Sequence, residues 1–126
     1  MADVVSTVGK NAVAEKIGGL GSHADFTYLH IGSDGTTATT ADTQIAADFT
    51  DSGLAPAAST VSTDAANVLQ LVHIWTASAT KTIRECGVSN TDLTGGGPTL
   101  LARSDFNTIS VDSGDSIQIT YKITVS

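Results

Sequence analysis

The stretch Ile117-Gln118-Ile119-Thr120-Tyr121-Lys122-Ile123-Thr124-Val125 decides the fold class. Every odd-numbered residue in it is aliphatic or aromatic, and every even-numbered residue is polar. Successive side chains of a β-strand point to opposite faces of the sheet, so this alternation predicts a strand with one buried face. We therefore expect this segment to be held in a sheet that packs on one side.

Upstream segments have strand composition and are separated by turns rich in Gly and Asp. Residues 68–75 form the most apolar run, which predicts a central strand covered on both faces. Other strands are expected within residues 26–31, 59–63, 80–88, 99–106 and 108–111, and a surface loop or edge over residues 36–43. Short strands spaced about ten residues apart predict an all-β, antiparallel, jelly-roll-like sandwich.

The N-terminal segment has weaker periodicity. The spacing of Val13, Ile17 and Leu20 predicts a short helix that ends near Ile17, because Gly18 and Gly19 favour helix termination. We divide the chain into an N-terminal arm or short helix, residues 1–23, and a β-sandwich domain, residues 24–126. The arm either docks on a neighbouring molecule or packs against one end of its own sandwich, and both alternatives stay open.

Composition excludes several classes of function. The 126 residues predict one folded domain, and the net charge of −7 argues against nucleic acid as a partner. No apolar stretch approaches the roughly 20 residues of a membrane helix, and the first residues lack a basic leader, so we expect a soluble product made in a cytoplasm. A single cysteine, Cys86, cannot form an intrachain disulfide. Stability must come from packing or self-association, and we expect a homotrimer.

No group of residues has the spacing of a metal site. His23, His30, His73 and Cys86 are conceivable zinc ligands, but no pair among them has the close spacing of a strong site. We expect His30 and His73 to be partly buried strand residues instead. Four aspartates in the turns could supply oxygen ligands to calcium: Asp34, Asp51, Asp112 and Asp115. Turn formation explains their positions better. The sequence therefore predicts neither a metal nor another cofactor.

Catalytic residues are not apparent either. Cys86 could act as a nucleophile beside a histidine, but Glu85-Cys86-Gly87 matches no nucleophile motif, and a buried structural thiol is the favoured interpretation. Ser22-His23-Ala24-Asp25 carries little information in a chain rich in Ser and Asp. Gly95-Gly96-Gly97 lacks the Lys-Ser or Lys-Thr of a phosphate loop and predicts a flexible connection. We predict a protein that is not an enzyme and has no catalytic residues.

Glu85 is unusual because almost all the acidic residues are Asp. Its sequence neighbour is Arg84, and the pair marks either a specific salt bridge or an oligomer contact. A solvated strand position is the favoured alternative.

Four segments resemble motifs of small structural proteins from tailed phages and related archaeal viruses. Residues 31–38, with 41–43, resemble their Gly-Thr-Gly-Thr-Thr-Ala-Pro…Asp-Thr-x-Leu segment, except that Thr39 stands where proline is usual and Ile45 where leucine is usual. Residues 83–90 are similar to Ile-x-Glu-x-Gly-Leu-x-Asn, and residues 101–106 to Leu-x-Arg-x-x-Phe. Residues 114–121 resemble Gly-Asp-x-Leu-x-Val-Thr-Tyr. The motifs occur in the family's order.

The resemblance implies a virion component, because family members are described as tail fibre, collar or head decoration proteins. We expect a capsid decoration protein, of the cement or turret kind, that binds the major capsid protein or other virion proteins as an oligomer. A tail-fibre or baseplate adaptor is the alternative within this class. A carbohydrate-binding module or a glycan hydrolase is the alternative of another class, and it would need exposed aromatic residues or paired carboxylates in a groove.

Overall fold

The structure is a computed structural model that describes residues 2–94 and 97–125. This part of the chain contains eight strands and one helix. The elements are β1 Ala2–Val5, α1 Thr7–Ile17, β2 Tyr28–Gly32, β3 Ala57–Ala58, β4 Thr60–Ala65, β5 Val68–Thr76, β6 Lys81–Ser89, β7 Leu100–Val111 and β8 Ser116–Thr124. The predicted all-β sandwich with a short N-terminal helix is confirmed. Gly95 and Gly96 of the predicted glycine loop lie outside the described residues, as does Met1 of the arm.

The strands form two antiparallel sheets that pack together. The large sheet has the order β1-β7-β6-β2-β3, and the small sheet has the order β4-β5-β8. Their facing sides enclose an apolar core that includes Leu29, Ile31, Leu71, Ile83 and Val88, all without solvent exposure. The alternation predicted for β8 is confirmed, because its odd-numbered side chains are buried or half-buried and its even-numbered ones are exposed.

The central strand of the small sheet, β5, is covered on one face only. Leu71 and Trp75 point into the core, whereas the opposite face leaves Ile74 56% exposed and Val72 half-buried. The expectation that this strand is covered on both faces is wrong for the single chain. A three-stranded sheet at the outside of a sandwich has one inner face, and no other described element covers its outer face.

The N-terminal residues pack on the sandwich of their own chain. β1 pairs with β7, and the α1 that follows lies against the same strand. The Ser6 hydroxyl accepts a hydrogen bond from the Gly9 amide (3.0 Å) and donates to the Leu100 carbonyl (2.7 Å), which caps the helix and ties it to β7. The helix ends at Ile17 as predicted, but Ile17 itself is exposed. The small residues Gly9 and Ala12 are buried instead, because the helix approaches β7 closely.

A long segment between β2 and β3 covers the outer face of the large sheet. We call residues 33–49 the covering segment. It has little regular structure and makes one isolated bridge, between Asp48 and Gly32. Its residues Ala38 and Ile45 are buried, and Ile45 lies against Gly87 of β6. Part of the predicted surface loop over residues 36–43 is therefore anchored on the sheet.

No described helix has both the length and the apolar character that crossing a membrane requires.

Candidate functional site

A fully buried carboxylate lies between the covering segment and the large sheet. Glu85 has no solvent exposure, and four N–H groups donate to it. Its Oε1 accepts from Arg103 Nε (3.0 Å) and from the Ala46 amide (2.8 Å). Its Oε2 accepts from the Ala47 and Asp34 amides, both at 2.9 Å. Both carboxylate oxygens are therefore occupied by donors, three of which belong to the backbone of the covering segment.

This arrangement contradicts the solvated position favoured for Glu85. Its salt-bridge partner is Arg103 of β7, and its sequence neighbour Arg84 stays exposed beside Gly35. Strand pairing explains the partner, because β6 and β7 place Glu85 and Gly87 opposite Asp105 and Arg103. Residues two apart on a strand share a face, so Glu85 and Arg103 meet on the outer face of the large sheet.

Arg103 extends the network along the covering segment. Its side chain is almost fully buried, and it donates to Asp42 Oδ2 (3.1 Å) and to the Asp34 carbonyl (3.3 Å). Burial opposes the charge of Arg103, but the hydrogen bonds and charges of Glu85 and Asp42 outweigh it and raise the pKa of the guanidinium. Asp105, on the same strand face, accepts a bond from the Ala38 amide (2.9 Å). We call these residues the Glu85 cluster: Asp34, Asp42, Glu85, Arg103 and Asp105.

The Glu85 cluster fixes the covering segment rather than forming an open ligand site. The backbone of an irregular segment needs hydrogen-bond partners once it is buried, and the cluster supplies them. Asp34 holds the local turn, because the Thr36 side chain and amide donate to its carboxylate and lower its pKa. Residues 2–94 and 97–125 contain no group of three or more His, Cys, Asp or Glu residues placed to hold a metal ion.

A second polar group has the connectivity of a hydrolytic triad. His30 Nδ1 lies 3.1 and 3.2 Å from the two carboxylate oxygens of Asp48, and its Nε2 contacts the hydroxyl of Ser89. These residues come from β2, the covering segment and β6. No pattern in the sequence indicates this group, because its members are far apart in the chain and no motif surrounds them.

The orientation of the Ser89 hydroxyl is the reverse of a catalytic one. Ser89 Oγ lies 2.7 Å from the Thr91 carbonyl oxygen, which only accepts, so the hydroxyl donates its proton there. It is then left to accept from the His30 ring, whereas a triad serine donates to its histidine. Ser89 and His30 are each only 1% exposed. The group therefore connects β2, the covering segment and the turn after β6, and it presents no nucleophile to solvent.

The residues that are conceivable zinc ligands or a nucleophile from the sequence lie in separate places. The Cys86 thiol is buried under the small sheet, where burial and then the nearby carboxylates of Asp3 and Glu85 raise its pKa to about 12. It is a neutral thiol at physiological pH and a poor nucleophile. His73 packs edge-on against Trp75, with ring centroids 4.6 Å apart. His23 lies beyond the end of α1, near Glu15.

Each of the turn aspartates accepts a hydrogen bond from a nearby residue. Asp34 accepts from Thr36, Asp51 accepts from the Ser52 hydroxyl, Asp112 accepts from the Thr80 hydroxyl, and Asp115 accepts from the Asp112 amide. The contacts of Asp34, Asp51 and Asp115 are with residues one to three positions away and agree with the turn-forming interpretation, whereas Thr80 lies 32 residues from Asp112 in the chain. Asp25 of the Ser22-His23-Ala24-Asp25 stretch pairs with Lys16 at 2.6 Å, and this contact lowers its pKa.

An open groove of about 450 Å³ separates β7 from β8 on one side of the sandwich. Phe106, Ile109 and Tyr121 contribute apolar surface to it, and Asp3 and Lys122 lie among its lining residues. All six aromatic side chains of the protein are buried or half-buried. Trp75 is 3% exposed and donates its indole N–H to the Ala55 carbonyl (2.8 Å). These rings therefore do not provide the exposed aromatic surface that sugar binding commonly uses.

Comparison with known proteins adds no relative to this picture: no protein-family model, curated protein or solved structure matches the chain. The functional argument therefore depends on the contacts above and on the motifs of the sequence.

Proposed function

We propose that the protein is a virion structural protein that decorates the exterior of a viral capsid and acts by binding. One observation carries the proposal: three of the segments that resemble virion proteins meet in the Glu85 cluster. Asp34 and Asp42 come from the first segment, Glu85 from the second and Arg103 from the third. These motif residues together hold the covering segment on the large sheet.

A rigidly held loop suits a binding protein. Binding by a mobile loop costs conformational entropy, and a loop already ordered by buried hydrogen bonds avoids most of that cost. The covering segment exposes five threonines to solvent, Thr36, Thr37, Thr39, Thr40 and Thr43. We propose that this threonine-rich surface contacts the capsid. The net charge of −7 favours solubility, which suits a protein on the outside of a particle.

The location of the protein in the particle tests the proposal directly. Particles produced from the genome that encodes the chain are labelled with a gold-conjugated antibody raised against the purified protein. Label on the head exterior is the expected result, and antibody pre-absorbed with the purified protein is the control. Label confined to the tail would support a tail-fibre or baseplate adaptor instead. Particles that contain none of the protein would refute a virion role.

A binding assay tests the threonine surface. Particles that lack the protein are mixed with purified chain, and bound protein is measured by co-sedimentation. Thr37→Arg places a bulky cation on the covering segment, and we expect it to weaken particle binding at least about 10-fold. Thr108→Arg, at an exposed position of β7, is the matched control and should bind like the wild type. Equal binding by both variants would move the contact away from the covering segment.

A further inference from the structure

The outer face of the small sheet, which points away from the core, carries an uncovered apolar stripe. Val68, Val72 and Ile74 lie along the central strand β5 on this face. Ile74 is 56% exposed, and the two valines are half-buried. Apart from Asp64 and Lys122, the positions around the stripe are uncharged: Thr60, Ser62, Gln70, Thr76, Ser116, Gln118, Thr120 and Thr124. This face is therefore apolar along its central strand and, apart from one ion pair, polar without charge along its edges.

The charge of this face differs from that of the rest of the protein. Its two charged residues are Asp64 and Lys122, which pair at 3.1 Å across the outer face of β5 and leave the face with no net charge. The whole net charge of −7 therefore lies on other parts of the chain. Two copies repel each other over most of their surfaces, but they can approach without repulsion here.

The positions of the ion pair make the face complementary to itself. Asp64 belongs to β4 and Lys122 to β8, which lie on opposite sides of β5. A two-fold axis that runs along β5 between two stacked faces places β4 of one copy over β8 of the other. Each Asp64 then faces Lys122 of the second copy, and the stripe of Val68, Val72 and Ile74 meets the same stripe of that copy.

We propose that the outer face of the small sheet binds a second copy of this chain through this two-fold, face-to-face packing. The proposal concerns self-association and does not depend on the capsid role. Strands β5 and β8 have nine residues each and β4 has six. At about 3.4 Å per residue and about 4.8 Å between strands, they give a face of about 400 Å². Stable interfaces bury about 800 Å² on each partner, so this dimer is weak, with a dissociation constant of about micromolar or higher.

Sedimentation equilibrium of the full chain between about 5 and about 500 μM tests the interface, because this range brackets the expected affinity. The wild type should change from monomer to dimer as its concentration rises. Ile74→Lys places a charge in the apolar stripe and should weaken dimerisation at least about 10-fold. Leu20→Lys is the matched control, because Leu20 is 64% exposed beyond the end of α1 and off this face. It should dimerise like the wild type.

A charge exchange separates contacts between copies from contacts within one copy. Lys122→Asp alone sets like charges opposite each other in the dimer, and so does Asp64→Lys alone. Each variant should dimerise at least about 10-fold more weakly than the wild type. An equimolar mixture of the two variants restores opposite charges across the interface while the pair inside each chain stays broken. The mixture should therefore form a heterodimer.

Three results would overturn the proposal. They are a wild type that stays monomeric to the highest concentration, a wild type that forms trimers, and a mixture that does not recover dimerisation although each variant keeps its melting temperature. Asp64 and Lys122 are each about half exposed, so the substitutions leave the core intact. Circular dichroism of each variant confirms the fold before sedimentation.

Discussion

Glu85→Gln is the sharpest test of the buried cluster. The substitution preserves the shape of the side chain but replaces one carboxylate oxygen with an NH₂ group. Each oxygen of Glu85 accepts from two N–H donors, so in either orientation the new NH₂ faces two donors and two hydrogen bonds are lost. The charge opposite Arg103 is lost as well. Breaking a buried ion pair by removing one partner costs about 3 to 5 kcal/mol, and we expect a loss of about 4 kcal/mol.

Chemical unfolding measures this loss. The protein has a single tryptophan, the buried Trp75, whose fluorescence reports unfolding in urea. With an unfolding entropy of about 2.1 cal/mol/K per residue, about 4 kcal/mol lowers the melting temperature of the 126-residue chain by about 15 °C. Glu15→Gln changes the chain's other glutamate, which is exposed, and should cost less than about 0.5 kcal/mol. A loss below about 1 kcal/mol for Glu85→Gln would refute the structural role of the cluster.

Four further predictions concern other parts of the fold. Gly9→Ala should destabilise the protein by about 2 kcal/mol although alanine favours helix, because its Cβ would lie 2.6 Å from a carbonyl oxygen of β7. The control is Ala14→Gly at an exposed helix position, which should lose about 1 kcal/mol, and a higher melting temperature for Gly9→Ala would contradict the packing. The pKa of Cys86 rises on folding from 9.0 to about 12, so the folded state keeps the thiol proton to higher pH, and the free energy of unfolding should fall as pH rises from about 9 to about 12. Cys86→Ala should remove this contribution to the loss of stability at alkaline pH, and rapid iodoacetamide labelling of the folded protein at pH 8 would argue against burial of the thiol. Ser89 should resist fluorophosphonate reagents, which react with activated serines, and labelling would restore a catalytic interpretation. Deleting residues 2–20 should abolish cooperative thermal unfolding, because β1 and α1 both pack on β7; a folded truncated chain that no longer joins particles would favour a docking arm.

Sequence and structure agree where the signal is local. The period of two in β8, the Gly and Asp turns and the Gly18-Gly19 stop after α1 each depend on residues close together in the chain. Steric preference and side-chain direction act over such short spans, so these elements could be predicted from the sequence. The packing face of α1 could not be predicted in this way. It depends on how closely the helix approaches β7, which selects Gly9 and Ala12 over the larger Ile17.

The sequence by itself determined the fold class and drew attention to Glu85, because a lone strand glutamate is unusual in a chain whose other acidic strand and turn residues are aspartates. Only the tertiary structure decided what Glu85 binds. Its partner Arg103 is 18 residues away, and its backbone donors lie up to 51 residues away. The register of β6 against β7 and the path of the covering segment bring these groups together. Register is a property of the paired sheet, set by packing on both faces, and no pattern within one strand specifies it.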